Sequence, residues 1–521
     1  MSSRFSILSA LVAVLCSVAM PAAALAEWHE ASSDHFVIYA DAGEEDIRAY
    51  AENLERFHRL MEYSTGRTVE KPSPSNRVTV YAVGSEGAVR KLAGTSGVAG
   101  FYLPRWQGSA AFVQDVRSIK KGRPDLSTTI LLHEYVHHFF ASTDRFAMPL
   151  WMNEGAAEFF SSIAFMEDGS IVTGLSPQHR DFMLFWDEKQ QMPVSELLDL
   201  DWTRLSVRNS ADKNSFYANS WLLYHYLSTV EERSGQLREY WIEVLKGTPS
   251  LEAARSAFGG VGPLQRKINL HYRDRDRPVY RAAAELIKAG PVAVRALDAG
   301  EAAAMDARIQ LDRGVGQDDA AKLAKQMREI AKQHPENAAV LTSLANAEYV
   351  AGKDGAAIAA AERALKIDPA LTDAYVYKGL SLFRKARQIA DPGKKARGYE
   401  RAMEPLRALG ALEADHIVPL LYTYRSYAER NVVPSAEAKS ALVRAAGLAP
   451  FDQEIWLITG MMHMNDGRIG EARAALLPLA SNPHGWEKAE QVKSLLAFLS
   501  DKQEGQPIPV QQAISAYFID E

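Results

Sequence analysis

Residues 129–140 have the sequence TILLHEYVHHFF, an apolar run that contains His133, Glu134 and His137. Because residues four apart share one face of a helix, the two histidine rings can approach the same point. Two such imidazoles are typical of a zinc site, and Glu134 beside them can take a proton from water. The pattern predicts one Zn²⁺ per chain. The alternative is a core helix whose histidines bond to backbone carbonyls, but its buried polar groups would be costly.

Residues 150–160, LWMNEGAAEFF, are predicted to form a second helix that returns to the first. Glu154 follows His137 by 17 positions (154 − 137), which leaves room for a turn and makes its carboxylate a candidate third ligand. Glu158 is four residues further on the same face, where it can accept a hydrogen bond from a ligand histidine. The alternative is an amphipathic surface helix, which the aromatic residues beside both carboxylates disfavour.

These two motifs, H-E-x-x-H at 133–137 and N-E-G-x-x-E at 153–158, resemble those of the gluzincin metallopeptidases, the superfamily of thermolysin and the zinc aminopeptidases. Within it, the chain is most similar to the peptidase MA-like bacterial proteins, which join such a domain to tetratricopeptide repeats. The resemblance implies an α+β thermolysin-like catalytic domain, a small sheet plus a helical subdomain, followed by an all-α repeat solenoid. It also implies these roles: zinc ligands His133, His137 and Glu154, general base Glu134, and Glu158 beside a ligand histidine.

The same resemblance implies two further parts of a peptidase site. A tyrosine that opens a later helix steadies the oxyanion in the aminopeptidases, and Tyr217 has a similar place; the alternative is a core aromatic residue. An edge strand before the catalytic helix pairs with the substrate backbone, and residues 108–113 are the predicted strand. The remaining candidates have no partner at ligand spacing and are interpreted as structural: His138, His179, His416 and His463.

Length and composition set the class of protein. The chain has 521 residues, of which 47% are hydrophobic and 24% charged, the balance of a soluble globular protein with about three domains. Lys and Arg together number 59 and Asp and Glu 65, so the net charge is −6. This charge gives no indication of a nucleic-acid partner.

The first 26 residues have the pattern of a cleaved export signal. Arg4 precedes a mostly apolar stretch, and residues 24–26 read Ala-Leu-Ala, small residues at the positions that a signal peptidase recognises. The single cysteine, Cys16, lies within this segment. The alternative is an uncleaved membrane anchor. We expect a bacterial protein that is periplasmic or secreted and that has no membrane span once the signal is removed.

Three regions follow the signal. Residues 27–123 are predicted as an α+β sheet subdomain, because strand-like segments at 35–39, 77–83, 100–103 and 110–113 accompany a helix with an apolar stripe. Residues 124–290 are predicted as the helical zinc-binding subdomain. Its helices are expected from about residue 127 to Ala141 and over 153–163, 216–227, 237–245 and 251–258.

Residues 291–521 are predicted as tetratricopeptide-like helical repeats. His334-Pro335 and Asp368-Pro369 are 34 residues apart, and Ala449-Pro450 and Asn482-Pro483 are 33 apart. Small Ala and Gly residues at intervening positions allow paired helices to pack closely. The alternative is a helical bundle with accidental spacing. Stacked helical pairs form concave surfaces, so the repeats are expected to bind a protein partner or to present a substrate.

Together these patterns predict an exported zinc metallopeptidase that hydrolyses peptide bonds of a peptide or protein substrate. The alternative is an exported repeat-protein scaffold with a catalytically inactive gluzincin-like domain. An exported aminopeptidase is a third interpretation, which the missing G-A-M-E-N-type motif weakens.

Overall fold

A computed structural model of the chain describes residues 27–117, 122–143, 148–180, 191–480 and 486–517. The predicted export signal, residues 1–26, lies outside the described residues. Within the described ranges, no helix is both long and apolar enough to cross a bilayer.

Nine strands form two sheets in the part of the chain that the structure describes. They are β1 (Trp28–Ser32), β2 (Phe36–Asp41), β3 (Val78–Ala82), β4 (Phe101–Leu103), β5 (Ala110–Val113), β6 (Ala164–Phe165), β7 (Ile171–Thr173), β8 (Tyr280–Ala282) and β9 (Ala293–Ala296). The larger sheet has the order β4-β5-β3-β2-β1-β9, with parallel pairing of β2 with β3 and of β3 with β5. The smaller sheet has the order β6-β7-β8.

The strand order corrects one expectation from the sequence. Residues 108–113 were predicted to include the edge strand, but β5 lies between β3 and β4, so β4 is the edge strand on this side of the sheet. All four residues of β5 are buried, as expected for a strand that is covered on both faces. The edge therefore lies one strand earlier in the chain.

The larger sheet has helices on both faces. The helices before residue 162 are α1 (Glu44–Thr65), α2 (Glu86–Ala93), α3 (Leu126–Thr143) and α4 (Leu150–Ser161). On one face, Ile38 and Val80 of the sheet share a core with Leu54 of α1 and Leu132 of α3. Because α3 buries this side against the sheet, its opposite side is turned towards α4.

A helical subdomain follows α3 and α4, the two metal-motif helices that contain the H-E-x-x-H and N-E-G-x-x-E motifs, and this subdomain contains the smaller sheet. Its helices are α5 (Val194–Asp199), α6 (Trp202–Ser206), α7 (Ser210–Thr229), α8 (Gln236–Leu245), α9 (Ser250–Ala257) and α10 (Val261–Arg273). The helices predicted from the sequence are present here, and α7 packs along α4. The chain then returns to the larger sheet, where β9 pairs with β1. The sequence did not predict this short strand, because three of its four residues are exposed.

The rest of the described chain is helical. Its helices are α11 (Ala299–Arg313), α12 (Gln317–Gln333), α13 (Ala338–Val350), α14 (Asp354–Ile367), α15 (Thr372–Arg387), α16 (Pro392–Leu412), α17 (Ile417–Ala428), α18 (Ala436–Leu448), α19 (Gln453–Asn465), α20 (Ile469–Ala480), α21 (Trp486–Phe498) and α22 (Val510–Tyr517). Each helix packs against the next. The architecture is thus an α+β part followed by a helical region.

The helical region is docked on the second face of the larger sheet. Met305 and Ile309 of α11 cover the stacked rings of Tyr39, Tyr81 and Phe112. Further along, between the sheet and α13, α15 and α17, a cavity of about 420 Å³ remains. The helical region therefore faces the sheet of its own chain.

Candidate metal centre

The metal-motif helices α3 and α4 present their polar residues to each other. The Asp125 carboxylate accepts a hydrogen bond from the Thr128 backbone N–H (2.8 Å) and so caps the start of α3. The side chains of His133 and His137 are 13% and 12% exposed, and that of Glu154 is fully buried. The site is therefore nearly closed to solvent but can still be reached.

Three ligand-type atoms converge between these helices. The two histidine Nε2 atoms are 3.3 Å apart, and the Oε2 atom of Glu154 lies 3.2 Å from His133 Nε2 and 3.5 Å from His137 Nε2. A tetrahedral zinc ion with bonds of about 2.1 Å requires ligand atoms about 3.4 Å apart. All three separations are close to this value, so these residues fit a tetrahedral cation and leave one position open. Two imidazoles and a carboxylate suit zinc and also other transition-metal ions.

The Nε2 atom of each histidine ring faces the centre, and each Nδ1 atom faces a polar side chain behind it. His137 Nδ1 lies 2.8 Å from the Oδ1 atom of Asn153, an acceptor, so Nδ1 carries a proton and Nε2 is the nitrogen that a metal ion would bind. His133 Nδ1 faces Glu158 Oε1 at 3.7 Å, which is longer than a hydrogen bond. Burial lowers the pKa of His137, but the Glu154 carboxylate together with Glu134 and Asn153 outweighs burial and raises it to about 9. The site therefore favours a positive charge at this point.

Gly155 allows α4 to lie unusually close to α7. A Cβ atom at this position would be only 2.5 Å from the backbone oxygen of Ser220. Any side chain here would push the two helices apart. It would therefore also increase the distance between Glu154 on α4 and Tyr217 on α7. The glycine of the N-E-G motif thus has a packing role at the centre.

Glu158 is fully buried and lies between Arg180 and His179. Arg180 donates to its Oε1 atom through Nη2 (2.8 Å) and Nε (3.2 Å), and His179 Nε2 lies 3.1 Å from Oε2. Burial raises the pKa of the Glu158 carboxyl, but Arg180 and then His179 outweigh burial and hold it well below its ordinary value. Glu158 is therefore ionised beside His133.

His179 and Arg180 were not among the residues assigned to the site from the sequence. Both belong to the same 3-10 turn, Gln178–Arg180, in a stretch without helical periodicity. His179 was interpreted as structural, and its contact with Glu158 places it at the edge of the centre instead. A loop residue gives no spacing signal, so only the folded chain could identify this pair.

Glu134 and Tyr217 are both near the converging atoms. Glu134 is half-buried, one residue after His133, and its charge helps to raise the pKa of both His137 and Tyr217. The Tyr217 ring centroid is 6.3 Å from that of His133, and the Arg180 guanidinium lies 4.8 Å from the tyrosine ring. Burial and then the Glu154 carboxylate raise the pKa of Tyr217 well above its ordinary value. Its phenol therefore stays protonated and can donate a hydrogen bond.

The edge strand β4 lies against the metal-motif helix. The Tyr102 hydroxyl and His138 Nδ1 are 2.8 Å apart, and a Cβ atom on Gly100 would lie 2.8 Å from the backbone oxygen of Ser127. The outer edge of β4 pairs with no strand of the described chain. An extended peptide could therefore pair with β4 next to α3.

A comparison of the chain with models of protein families finds none that matches, and no curated protein matches it either.

Proposed function

We propose that the chain is a zinc-dependent peptidase of the gluzincin type. The observation that carries this proposal is the convergence of His133, His137 and Glu154 at the separations of a tetrahedral metal site. Zinc, when bound, supplies a Lewis acid that polarises a peptide carbonyl and lowers the pKa of water. The arrangement of two neutral imidazoles and one carboxylate is the donor set of known catalytic zinc sites.

The other side chains are suited to moving protons in peptide hydrolysis. Glu134 is the general base: its carboxylate takes a proton from the attacking water and later passes it to the leaving amine. Tyr217, protonated because it is buried beside carboxylates, donates to the oxygen that gains negative charge. Glu158, held ionised by Arg180, favours the His133 tautomer that turns Nε2 to the metal.

A peptide is the substrate class that best fits the edge of the sheet. The strand β4 has a free edge and lies along α3. A substrate in extended conformation would gain backbone hydrogen bonds there. Only an extended chain can use such an edge, which favours a peptide or protein substrate over a small ester.

The remaining assignments are part of the same proposal. The catalytic part is thermolysin-like, and residues 291–521 are tetratricopeptide-like repeats, supported by the intervals of 34 and 33 residues and by consecutive packed helices. The repeats bind a protein partner, on a surface other than the one docked on the sheet. The chain is exported to the periplasm or secreted after loss of residues 1–26, and it takes no nucleic-acid partner.

The decisive experiment combines metal analysis with one isosteric substitution. The purified protein is analysed for bound metal, and cleavage of a degenerate peptide pool is compared for the parent, Glu134→Gln and Glu252→Gln. Glu252 is an exposed residue on α9 and serves as the matched control. We expect one zinc ion in all three proteins and loss of cleavage, by more than about 100-fold, only in Glu134→Gln.

Other outcomes lead to different conclusions. Equal cleavage by the parent and Glu134→Gln would end the hydrolytic assignment. Full zinc occupancy without cleavage of any peptide would favour the exported scaffold with an inactive domain. Cleavage confined to peptides with a free amino end would identify an aminopeptidase.

A further inference from the structure

The helical region contacts the turn between β4 and β5, residues 104–109, at two points. These points, Asp312 and Asp452, are 140 residues apart in the chain (452 − 312). The edge strand β4 directly precedes this turn, and β4 lies against α3, the first of the two metal-motif helices. Its position is therefore relevant to the candidate site.

The first contact is made by Arg105. Its Nη1 and Nη2 atoms donate to the backbone oxygens of Asp312 and Arg313, both at 2.7 Å. These carbonyls belong to the last turn of α11, where helix oxygens lack intrahelical donors and a cation is favoured. The next residue is Gly314, with φ +91°, and a Cβ atom there would lie 3.2 Å from Arg105 Nη2. The last carbonyls of α11 and the glycine that follows them therefore leave room for the Arg105 guanidinium and bind it.

The second contact is made by Trp106. Its backbone N–H donates to Asp452 Oδ2 at 3.2 Å, while Oδ1 of the same carboxylate accepts from the Ile455 N–H at 3.0 Å and caps α19. The Trp106 ring also packs against Tyr422 of α17, with centroids 6.2 Å apart. Side chain and backbone of one turn residue are therefore both held by the helical region.

The helical region also reaches α3 directly. His138, the residue after a candidate ligand, stacks on Phe451 with ring centroids 4.6 Å apart, and it bonds to Tyr102 of β4. Phe451 precedes Asp452 in the chain. One short segment of the helical region thus contacts both the catalytic helix and the turn that carries β4.

The hydrogen bonds within the turn cannot replace these contacts. The Gly108 N–H donates to the Arg105 oxygen at 3.1 Å, and the Arg105 N–H donates to Ser109 Oγ at 3.3 Å. They close the turn on itself but do not fix its orientation relative to α3. The pairing of β4 with β5 and the contact between Tyr102 and His138 contribute to that orientation, and Arg105 and Trp106 add two contacts from the helical region.

We propose that the helical region acts within its own chain by positioning the edge strand β4 beside the metal ligands. Arg105 and Trp106 are positioning residues, and Asp452 is the group of the helical region through which Trp106 is held. This inference rests on the proposed function and assigns the helical region a role in that same site. A substrate strand pairs with β4 in the ground state and in the transition state alike, so looser positioning raises KM more than it lowers kcat.

The test compares two helix-capping aspartates. Asp452→Ala removes a cap from α19 and also releases the Trp106 N–H. Asp391→Ala removes the equivalent cap from α16, where Asp391 Oδ1 accepts from the Lys394 N–H at 2.7 Å. Among the described residues no hydrogen bond joins Asp391 to the sheet. Both variants lose a helix cap, but only Asp452→Ala also loses the hydrogen bond to the turn.

Arg105→Ala removes the other contact, and Arg105→Lys keeps the charge without the fork that reaches two carbonyls. Each variant of the zinc-loaded full chain is measured for kcat, KM, zinc affinity and hydrogen exchange of the β4 amides. We expect KM to rise about tenfold in Asp452→Ala and Arg105→Ala, with an intermediate rise in Arg105→Lys. Zinc affinity stays within about twofold, β4 amides exchange faster, and Asp391→Ala matches the parent.

The inference and the proposed function fail in different ways. If the parent cleaves peptides but KM and β4 exchange in Asp452→Ala and both Arg105 variants equal those of Asp391→Ala, the positioning role is overturned and the peptidase assignment stands. A loss of zinc affinity in step with activity would also overturn it, because the effect would then be on the metal ligands. If the parent neither binds zinc nor cleaves peptides, both proposals are wrong.

Discussion

The helix pair α3–α4 and the pair α15–α16 enclose very different groups. A glycine lies close to a neighbouring helix in both regions: Gly155 of α4 meets the backbone of Ser220 on α7, and Gly379 of α15 meets the side chain of Leu406 on α16. Around Gly379 the buried neighbours form an apolar core that includes Leu380 and Phe383. Between α3 and α4, in contrast, two imidazoles and two carboxylates converge.

This difference separates packing from function. The pair α15–α16 shows that this chain can join two helices tightly with apolar side chains alone. Burial of ionisable groups costs free energy unless they are compensated, so nothing in the packing requires them between α3 and α4. Their presence there is what indicates a binding centre.

The largest expected effect comes from removing a ligand atom. His137→Ala deletes one of three converging donors, and we expect zinc affinity to fall by well over about 100-fold, more than the loss of a hydrogen-bonding neighbour causes. Tyr399→Phe, on α16, is the control and should leave zinc affinity unchanged. Zinc content is measured by elemental analysis after dialysis. Full occupancy in His137→Ala would remove the contrast between the two helix pairs.

Removal of the metal should destabilise the helix pair α3–α4 and leave the pair α15–α16 unaffected. At a free zinc concentration a thousand times the dissociation constant, binding stabilises the folded chain by about 4 kcal/mol, so a chelator should lower the free energy of unfolding by that amount. Hydrogen exchange should quicken in α3 and α4 and stay constant in α15 and α16. A chelator effect of equal size on His137→Ala would show that the lost stability does not come from this site.

Gly155→Ala tests the backbone contact. Because the added Cβ atom would meet the Ser220 backbone oxygen at 2.5 Å, α4 and α7 must move apart, and we expect a loss of about 3 kcal/mol of unfolding free energy. Zinc affinity should fall as well, since Glu154 moves with α4. Denaturant unfolding and zinc titration check the two effects separately, and an unchanged unfolding midpoint would contradict the close approach.

Gly379→Ala should have the smallest effect of the series. Here the added Cβ atom meets the Leu406 side chain, with Cγ at 2.8 Å, and that side chain can change its rotamer. We expect a loss of about 1 kcal/mol and no change in zinc affinity. Denaturant unfolding measures it, and a loss as large as that of Gly155→Ala would mean that side-chain and backbone obstacles are equivalent in this fold.

The sequence predicted the features that depend on local periodicity. The spacing of His133, His137 and Glu154 indicated that they share facing helix surfaces, and the structure brings their ligand atoms within 4.8 Å of one another. The helices of the second subdomain were predicted for the same reason. A period of 3.6 residues is a property of the segment itself.

Features that depend on distant segments were missed. The edge position belongs to β4 and not to β5 because sheet order is set by pairing between remote strands. Arg180 reaches Glu158 from a loop, and the helical region reaches the β4–β5 turn through Asp452. None of these contacts leaves a repeat or a spacing in the sequence.

The amide of Asn153 has a consequence for the electric charge of the centre. A divalent ion held by two neutral imidazoles and the single carboxylate of Glu154 would retain one unit of positive charge. Because the group behind His137 is an uncharged amide, it orients the ring without cancelling that excess. An aspartate in its place would reduce that excess, so the asparagine would leave a bound cation more positive than an aspartate would.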